Sequence, residues 1–475
     1  MDSYGTTNQR LATLRVVPIV PWTIQMKGGH VASIVVPEGT VVAKFGGTSV
    51  ATADQIKKVG SIMQANARRE YLVVSAPGKR TRDDHKVTDL LYLCQAHVRQ
   101  GIRFDHVFQL VRDRFREIVR GLQVGIDLEV LLDDAERGII DRPQSPDFAA
   151  SRGEFLMARI LAAHFHRDFM DASSIIFFQE NGQLDSERTY RALGSPDLSS
   201  TAVIPGFYGA LPDGSIKTFS RGGSDITGAI VARGVGATLY ENWTDVPGLL
   251  MADPKIVAHP RPIARVTYGE LRELAYSGAT VLHDEAIFPV REARIPVNIR
   301  DTNDPDAPGT LIVSETDPAG NGTPITGIAG RRDFTVLEIR KALMNNELGF
   351  GQRVLSTLAA AGISYEHTPT GIDTMSVVVA TKQLGGKLPA VADALQQACR
   401  PDSINIFPDL ALIAVVGRRM RDTPGIAGRL FGALGDASVN IRMIDQGASE
   451  TTIIIGVENA DYEVATRAIY QAFCA

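Results

Sequence analysis

The amino-acid sequence predicts a mostly parallel α/β domain followed by two small modules of the βαββαβ type. Apolar strands and amphipathic helices alternate from Val41 to about residue 315, which is typical of a parallel sheet covered by helices on both faces. The pattern then repeats itself, since a helix that follows Gly349 is matched by a second helix that follows Gly425, 76 positions later (425 − 349). Repeats without clusters of catalytic residues indicate binding modules.

These observations set the predicted domain limits. We expect an N-terminal extension at 1–40 and the α/β domain at 41–315. The first module is expected at 334–403 and the second at 404–475, and the second also takes a strand from 322–332, so that the two are interleaved. The role of the extension stays open.

Composition excludes several classes of protein. The chain has 475 residues, of which 44% are hydrophobic and 22% are charged, so it has enough apolar residues for several cores and is not a disordered chain. A net charge of −5 gives no overall basic field that would favour binding of nucleic acid. The three cysteines lie far apart, so neither disulfides nor a metal site is expected. No apolar run reaches the roughly 18 residues of a membrane span, and we expect a cytoplasmic protein.

The elements of the α/β domain follow from local patterns. A strand is predicted over Val41–Phe45, and the turn Gly46–Ser49 leads into a helix at 53–68 that begins with the capping-box pattern Thr52-x-x-Gln55. A second capping box, Thr267-x-x-Glu270, begins a helix that ends before residue 278. The other predicted elements are strands at 71–75, 174–178, 202–206 and 215–219 and a helix at 224–234.

The turn after the first strand carries the first chemical motif. In Lys44-Phe-Gly-Gly-Thr-Ser49 the glycines let backbone N–H groups approach phosphate oxygens, and the following helix adds positive potential. Lys44 can neutralise charge on a transferring phosphoryl group. The sequence has no G-x-x-x-x-G-K-[ST] pattern, so it is not a P-loop enzyme. An ordinary turn beside a surface lysine would give the same pattern.

A second glycine pair lies at the start of a helix, in Ser220-Arg-Gly-Gly-Ser-Asp225. Ser224 or Asp225 can cap the helix, and the planar guanidinium of Arg221 suits a carboxylate. The alternative is a polar loop with a good N-cap. Two turns of this type in one α/β domain favour nucleotide binding.

Three further residues have both a functional and a structural interpretation. Glu154 is expected near the start of an apolar helix, where it either recognises a substrate ammonium group or complements the helix dipole. Thr244 and Asp245 follow an apolar strand, where open α/β sheets bind ligands, although Asp245 also suits a plain turn. His164 and His166 are interpreted as structural or surface residues, because no partner for a metal site is evident.

Several motifs in one order resemble the aspartate kinases: Lys44-Phe-Gly-Gly-Thr-Ser-Val50, Arg221-Gly-Gly-Ser-Asp225, Trp243-Thr-Asp-Val-Pro-Gly248, Ala252-Asp-Pro-Lys255 and Pro308-Gly-Thr-Leu311. The repeated tail resembles their paired ACT domains. The similarity covers roughly residues 41–475 and is far more specific than any single motif. It implies an amino-acid-kinase α/β/α sandwich, a reaction of Mg-ATP with the β-carboxylate of L-aspartate, and 4-phospho-L-aspartate as product on the way to lysine, threonine and methionine.

The resemblance also implies a role for each matching residue. Lys44 would stabilise the transferring phosphoryl group, Gly46 and Gly47 would donate backbone hydrogen bonds to it, and Asp225 would orient Lys44 or the substrate. The residues expected around aspartate are Ser75, Thr88, Glu154 for the ammonium group, Arg221 for the α-carboxylate, and Ser224. Those expected around the nucleotide are Lys44, Gly46, Gly47, Thr244, Asp245 and Lys255. An insertion at Lys79–Lys86 separates Ser75 from Thr88.

The chain departs from the family pattern at four positions. Many members have glycine where Ser220 stands, tyrosine near Leu250, arginine at Lys255 and lysine near Thr280. The last three departures weaken the inferred nucleotide contacts.

The paired ACT domains imply end-product control and a dimer. In the family, an amino acid such as lysine or threonine binds where ACT domains of two subunits meet. The matching positions are Met344, Glu347, Phe350, Glu366 and Thr370. For Met344 and Phe350, a role in core or dimer packing is an equal alternative.

Two other functions stay open from the sequence. A related kinase acting on another acidic amino acid would keep Glu154 and Arg221, and the N-terminal extension motivates this alternative. An amino-acid sensor with an inactive kinase domain would use only the ACT pair.

Overall fold

A computed structural model of the chain describes residues 23–27, 30–35, 38–220, 222–279, 284–314 and 323–474. Two of the residues discussed above, Arg221 and Thr280, lie outside the described residues, as does most of the N-terminal extension. The described part of that extension is an antiparallel pair of strands. In the described chain, no helix is both long and apolar enough to cross a bilayer.

The strands, in chain order, are β1 (Thr23–Lys27), β2 (His30–Val35), β3 (Val41–Phe45), β4 (Arg69–Val74), β5 (Asp168–Phe169), β6 (Ala202–Pro205), β7 (Tyr208–Ala210), β8 (Ile216–Thr218), β9 (Leu239–Thr244), β10 (Arg265–Thr267), β11 (Val297–Asp301), β12 (Thr310–Val313), β13 (Gly327–Arg340), β14 (Thr374–Ala380), β15 (Ser403–Val416), β16 (Met443–Gln446) and β17 (Thr452–Glu458). The helices are α1 (Ala53–Gln64), α2 (Val87–Arg99), α3 (Asp105–Leu122), α4 (Leu128–Asp141), α5 (Pro146–Phe165), α6 (Ser186–Leu193), α7 (Gly223–Gly234), α8 (Tyr268–Tyr276), α9 (Phe288–Glu292), α10 (Phe350–Ala360), α11 (Thr381–Leu384), α12 (Leu388–Cys399), α13 (Ile426–Asp436) and α14 (Tyr462–Cys474).

The α/β domain is built on an eight-stranded sheet in the order β10-β12-β11-β9-β3-β4-β6-β5. Every neighbouring pair is parallel except β11 and β12. The sheet has a core on each face, and alternate residues of β3 divide between them: Val42 packs in one core, and Ala43 and Phe45 in the other. The predicted parallel sheet with helices on both faces is therefore confirmed.

Three sequence predictions need correction in this domain. The helix expected at 53–68 ends at Gln64, and Gln55 does not complete a capping box, because its amide donates to Asn303 at 3.1 Å while Thr52 alone caps the helix. The segment 174–178 contains only isolated bridges at Phe177 and Phe178 in place of a strand. The segment predicted as a strand at 215–219 does form β8, but it pairs with β7 outside the main sheet. The second capping box, at α8, is complete.

The C-terminal part forms one five-stranded antiparallel sheet in the order β14-β13-β15-β17-β16. Both β13 and β15 are 14 residues long and run through both repeats. Gly327–Arg331 pairs with Leu412–Val416, and Phe334–Arg340 pairs with Ser403–Leu410, with shifts of register between the two stretches. The expected interleaving through a strand before the first repeat is thus present, whereas the exact domain limits remain predictions.

A buried carboxylate joins the two parts of the molecule. Glu270, in the first turn of α8, accepts hydrogen bonds from the Thr267 amide at 2.9 Å and from the Thr326 hydroxyl at 2.6 Å. It also accepts a hydrogen bond from the backbone amide of Arg418 at 3.1 Å. One side chain therefore ties the cap of a helix of the α/β domain to the ends of two segments of the C-terminal sheet.

Candidate active site

The predicted motifs converge at the carboxyl ends of the central strands. Phe45 pairs with Trp243 of β9 and with Val74 of β4, and Thr244 pairs with Asp301 of β11. The segments that follow these strands therefore leave the same edge of the sheet. This edge is where open parallel sheets bind ligands.

Lys44 is the central cation of this edge. Its side chain is only 9% exposed, and its Nζ lies 2.5 Å from Asp225 Oδ1, in the first turn of α7. Asn242 of β9 holds both partners, since its amide donates to Asp225 at 3.0 Å and its carbonyl oxygen lies 3.4 Å from Lys44 Nζ. The sequence motifs found Lys44 and Asp225 but missed Asn242, for which the one signal is an amide side chain inside an apolar strand.

The glycine turn after β3 packs tightly against the loop after β4. The Gly46 N–H donates to the Trp243 carbonyl at 3.0 Å, so it is not available to a phosphate, and the predicted donation from Gly46 is corrected. A Cβ on Gly47 would lie 2.9 Å from the Ala76 carbonyl oxygen, and the Gly78 N–H donates to the Gly47 carbonyl at 2.8 Å. Glycine at position 47 is therefore required by this close approach.

Two serines contact each other at the same edge of the sheet. Ser75 follows β4 and its hydroxyl donates to Ser224 Oγ at 2.9 Å. Ser224 is buried against Gly206, where a Cβ would lie 2.4 Å from the serine side chain. Thr88 is half-buried in the first turn of α2, so the structure places it at the far end of the loop that begins at Ser75.

Glu154 lies in the middle of α5, because that helix already begins at Pro146 after the N-cap Ser145. The alternative of a first-turn dipole residue is therefore wrong. The side chain is buried, and Oε2 has no hydrogen-bond partner among the described residues. Burial raises the pKa of Glu154 to about 8, although a hydrogen bond from the Ala76 amide and the nearby Arg152 guanidinium oppose the rise. A cationic ligand would supply the missing partner.

The residues expected around the nucleotide lie on the more open side of the edge. Thr244 is half-buried at the end of β9, and its hydroxyl donates to the exposed Asp245 at 3.2 Å. Lys255 is exposed, and its amide donates to Asp253 at 2.9 Å.

Two further departures from the family pattern, Ser220 and Leu250, lie in described parts of the chain. Ser220 is exposed just before α7, and Leu250 forms an isolated bridge with Pro262.

A metal site is not found in the described chain, where no group of three or more His, Cys, Asp or Glu side chains is arranged to hold an ion. The interpretation of His164 and His166 as structural or surface residues stays a prediction. Burial lowers the pKa of His164. The carboxylates described at this edge include Asp225 and the exposed Asp245, and one or two carboxylates together with substrate phosphates are the usual ligands of Mg²⁺ in proteins.

Two of the expected effector residues are packing residues. Met344 and Phe350 are 5% and 4% exposed, in a core with Val354 and Leu358 of α10. The structure thus agrees with the core alternative for both.

The other three effector positions carry polar groups. Glu347 forms ion pairs with Lys341, at 2.5 Å, and with Arg353. Glu366 accepts a hydrogen bond from Arg331 at 2.9 Å. Thr370 is exposed, and its hydroxyl donates to the backbone just before it.

Comparison with known proteins identifies the family of the chain. The model of the amino acid kinase family matches residues 39–301, and an ACT domain model matches residues 413–473. Aspartokinase 3 of Bacillus subtilis is 38% identical over 449 residues, covering 91% of this chain and 98% of that protein. The crystal structure of Clostridium acetobutylicum aspartate kinase is 51% identical with a TM-score of 0.85, covering 92% of this chain and all of that one.

Escherichia coli supplies a third relative. Its lysine-sensitive aspartokinase 3 is 28% identical over 459 residues, covering 90% of this chain and 98% of that protein. A crystal structure of E. coli aspartokinase III in complex with aspartate and ADP is 25% identical with a TM-score of 0.68, covering 91% of this chain and 99% of that one. These matches extend over nearly the whole chain, and this chain belongs to the amino acid kinase family and, within it, to the aspartokinases.

Proposed function

We propose that the chain transfers the γ-phosphoryl group of ATP to the β-carboxylate of L-aspartate, which gives 4-phospho-L-aspartate and ADP. This is the first committed reaction towards lysine, threonine and methionine. The observation that carries the proposal concerns two buried groups at one edge of the sheet. Lys44 is already held in place by Asp225, and Glu154 has one oxygen without a hydrogen-bond partner among the described residues. The E. coli relative solved with aspartate and ADP supports one substrate, aspartate, and one product, ADP, of this reaction.

In this proposal Glu154 binds the ammonium group of aspartate. Its buried Oε2 gains a charged partner, which offsets the cost of ionising a carboxyl group in an apolar environment. Ser75, Ser224 and Thr88 contact the rest of the amino acid, and Arg221 binds its α-carboxylate. These contacts hold the β-carboxylate in line with the γ-phosphorus, which is most of what phosphoryl transfer requires.

Lys44 stabilises the charge that develops during transfer. A β-carboxylate oxygen forms the new bond to phosphorus while the bond to the ADP oxygen breaks, and negative charge spreads over the transferring group. The ammonium group of Lys44 is held in place by Asp225 and Asn242 before the substrate arrives, so little reorganisation is needed. Gly47 is the remaining glycine of this turn that would donate its backbone N–H to the phosphates.

Thr244, Asp245 and Lys255 would line the nucleotide pocket at the end of β9. Bound Mg²⁺ would neutralise charge on the phosphates.

We further propose feedback control by lysine or threonine through the C-terminal sheet, in a homodimer. The E. coli relative named lysine-sensitive supports an amino-acid effector. Glu347, Glu366 and Thr370 are the polar candidates for its binding, and Met344 and Phe350 pack in the core of the first repeat. A cytoplasmic location is consistent with three buried free cysteines.

The test is ADP release with Mg-ATP and a panel of L-aspartate, L-glutamate and D-aspartate, with and without lysine or threonine. Hydroxylamine added to the reaction should trap the acyl phosphate as a hydroxamate only with L-aspartate. Turnover with a different acid would overturn the substrate assignment. Absence of turnover with every acid, together with tight lysine or threonine binding, would favour the sensor.

A further inference from the structure

The insertion Lys79–Lys86 belongs to a loop that begins at Ser75 and ends at Thr88, two of the proposed aspartate contacts. We call residues 75–88 the substrate loop. Its first half touches both sides of the site, since the Ala76 amide donates to Glu154 and the Gly78 amide donates to Gly47. A displacement of this loop would therefore disturb recognition of the ammonium group and the phosphate turn together.

Arg114 of α3 anchors this loop from outside the site. Its side chain is only 4% exposed. The guanidinium donates to the Gly78 carbonyl at 2.9 Å through Nη1 and to Asp84 Oδ2 at 2.5 Å through Nη2. One planar group thus binds the loop at its tight turn and again within the insertion.

Asp84 keeps Arg114 in this orientation. Its carboxylate also accepts hydrogen bonds from the backbone amide and Nε of Arg80, both at 2.9 Å. Hydrogen bonds from Arg80 hold the pKa of Asp84 well below its usual range, and Arg114 adds to the effect, so the anion persists at any working pH. Arg80 in turn pairs with Glu117 of α3 at 2.6 Å, which fastens the insertion to the same helix.

We propose that Arg114, oriented by Asp84, is a positioning residue for phosphoryl transfer, because it fixes the substrate loop against Gly47 and Glu154. Burial of an ion pair contributes little net stability compared with apolar packing, so its value here lies in fixing a geometry. Small misplacements of reacting groups are costly in rate. The inference rests on the proposed function and deepens it.

Arg112 offers a matched control on the same helix. Its side chain is 13% exposed, and it forms ion pairs with Glu129, Asp133 and Glu136 at 2.6–3.2 Å. These partners all belong to α4, away from the substrate loop. R112M therefore removes a comparable network from α3 and leaves the loop anchored.

The experiment compares R114M, R114K, D84N, the double variant R114M/D84N and R112M in the full chain. Steady-state kinetics give kcat and KM for aspartate and for ATP, and thermal unfolding checks folding. Hydrogen–deuterium exchange of residues 75–88 reports the order of the substrate loop without any need for activity.

For R114M we expect kcat/KM for aspartate to fall by about 10–100-fold, with a smaller rise in KM for ATP, because the loop also contacts Gly47. Exchange in residues 75–88 should accelerate. R114K should recover part of the loss, and D84N should lose several-fold. The double variant should be no worse than R114M, because Asp84 acts through Arg114. R112M should match the wild type in both kinetics and exchange.

Equal behaviour of R114M and R112M in kinetics or in loop exchange would overturn the inference. Should R114M not fold, D84N decides by the same two measurements. A wild-type chain without aspartate-dependent ADP release would refute the proposed function instead, and loop exchange would still decide whether Arg114 fixes the loop.

Discussion

Replacing Glu154 by glutamine exchanges a buried carboxyl group for an uncharged amide of the same shape. The change tests the electrostatic basis of substrate recognition. In the free protein, the folded state holds the Glu154 proton more tightly than the unfolded state does, because burial raises its pKa from 4.5 to about 8. Below the unfolded pKa both states are protonated and no cost arises. As pH rises from 4.5 to 8, the unfolded state ionises first, so the stability of the wild type falls relative to that of E154Q.

The magnitude follows from the two pKa values. A tenfold change in a proton equilibrium is worth about 1.4 kcal/mol, so the full cost of ionising Glu154 is about 5 kcal/mol, and about 4 kcal/mol of it develops between pH 5 and pH 8. Aspartate binding requires the ionised form. Its affinity for the wild type should therefore rise about tenfold per pH unit up to pH 8, with release of a proton on binding.

Urea unfolding of the wild type and E154Q between pH 5 and 9 measures how the free energy of unfolding depends on pH. Calorimetry in buffers of different ionisation enthalpy measures aspartate affinity and the proton released on binding. The unfolding free energy of the wild type should fall relative to that of E154Q as pH rises to 8, and the difference should level off above pH 8. E154Q should bind aspartate weakly and with little dependence on pH. Parallel stability curves for the two proteins, or aspartate binding without proton release at pH 7, would refute the reasoning.

Three further changes test other parts of the structure. K44A should lower kcat by about 10²–10³-fold, since it removes the preset cation, and turnover that survives would contradict the mechanism. G47A should lower the free energy of unfolding by about 1–3 kcal/mol and remove most of the activity, because the new Cβ meets the Ala76 carbonyl oxygen. G125A, with open space around the new Cβ, should change neither stability nor activity. Equal melting temperatures of the two variants would refute the packing argument. E270A should lower the free energy of unfolding in urea by about 3 kcal/mol, because it removes the acceptor shared by two parts of the chain, and a change below about 1 kcal/mol would show that this junction is dispensable.

The parts of the fold that the sequence predicted correctly depend on local signals. Val41–Phe45, the glycine turn and the capping box of Thr267 and Glu270 were recognisable because each signal lies within a few residues of the element that it marks. The apolar run 174–178 shows the limit of such reasoning. Its residues are largely buried, but an apolar run indicates burial and does not say which backbone, if any, pairs with it.

The site shows the same division. Lys44 and Asp225 stood in motifs, whereas the contact that joins them through Asn242 depends on the pairing of β3 with β9, which no local pattern contains. The position of Glu154 in the middle of its helix could have been predicted from the sequence. Ser145 followed by Pro146 is a strong helix-start signal, and Pro146 lies eight residues before Glu154.

The charge balance of the site explains which acids it can accept. Lys44 is already compensated by Asp225, so the site needs no substrate to keep that cation in place. Glu154 is different, because one of its oxygens has no partner in the described chain until a cation arrives. In the proposed function a free α-ammonium group would complete the site, whereas an N-acetylated acid would bury the same carboxyl group without a charge to pair it. Selectivity for an unmodified amino acid would thus come from a single uncompensated group, whose burial also raises the pKa of Glu154.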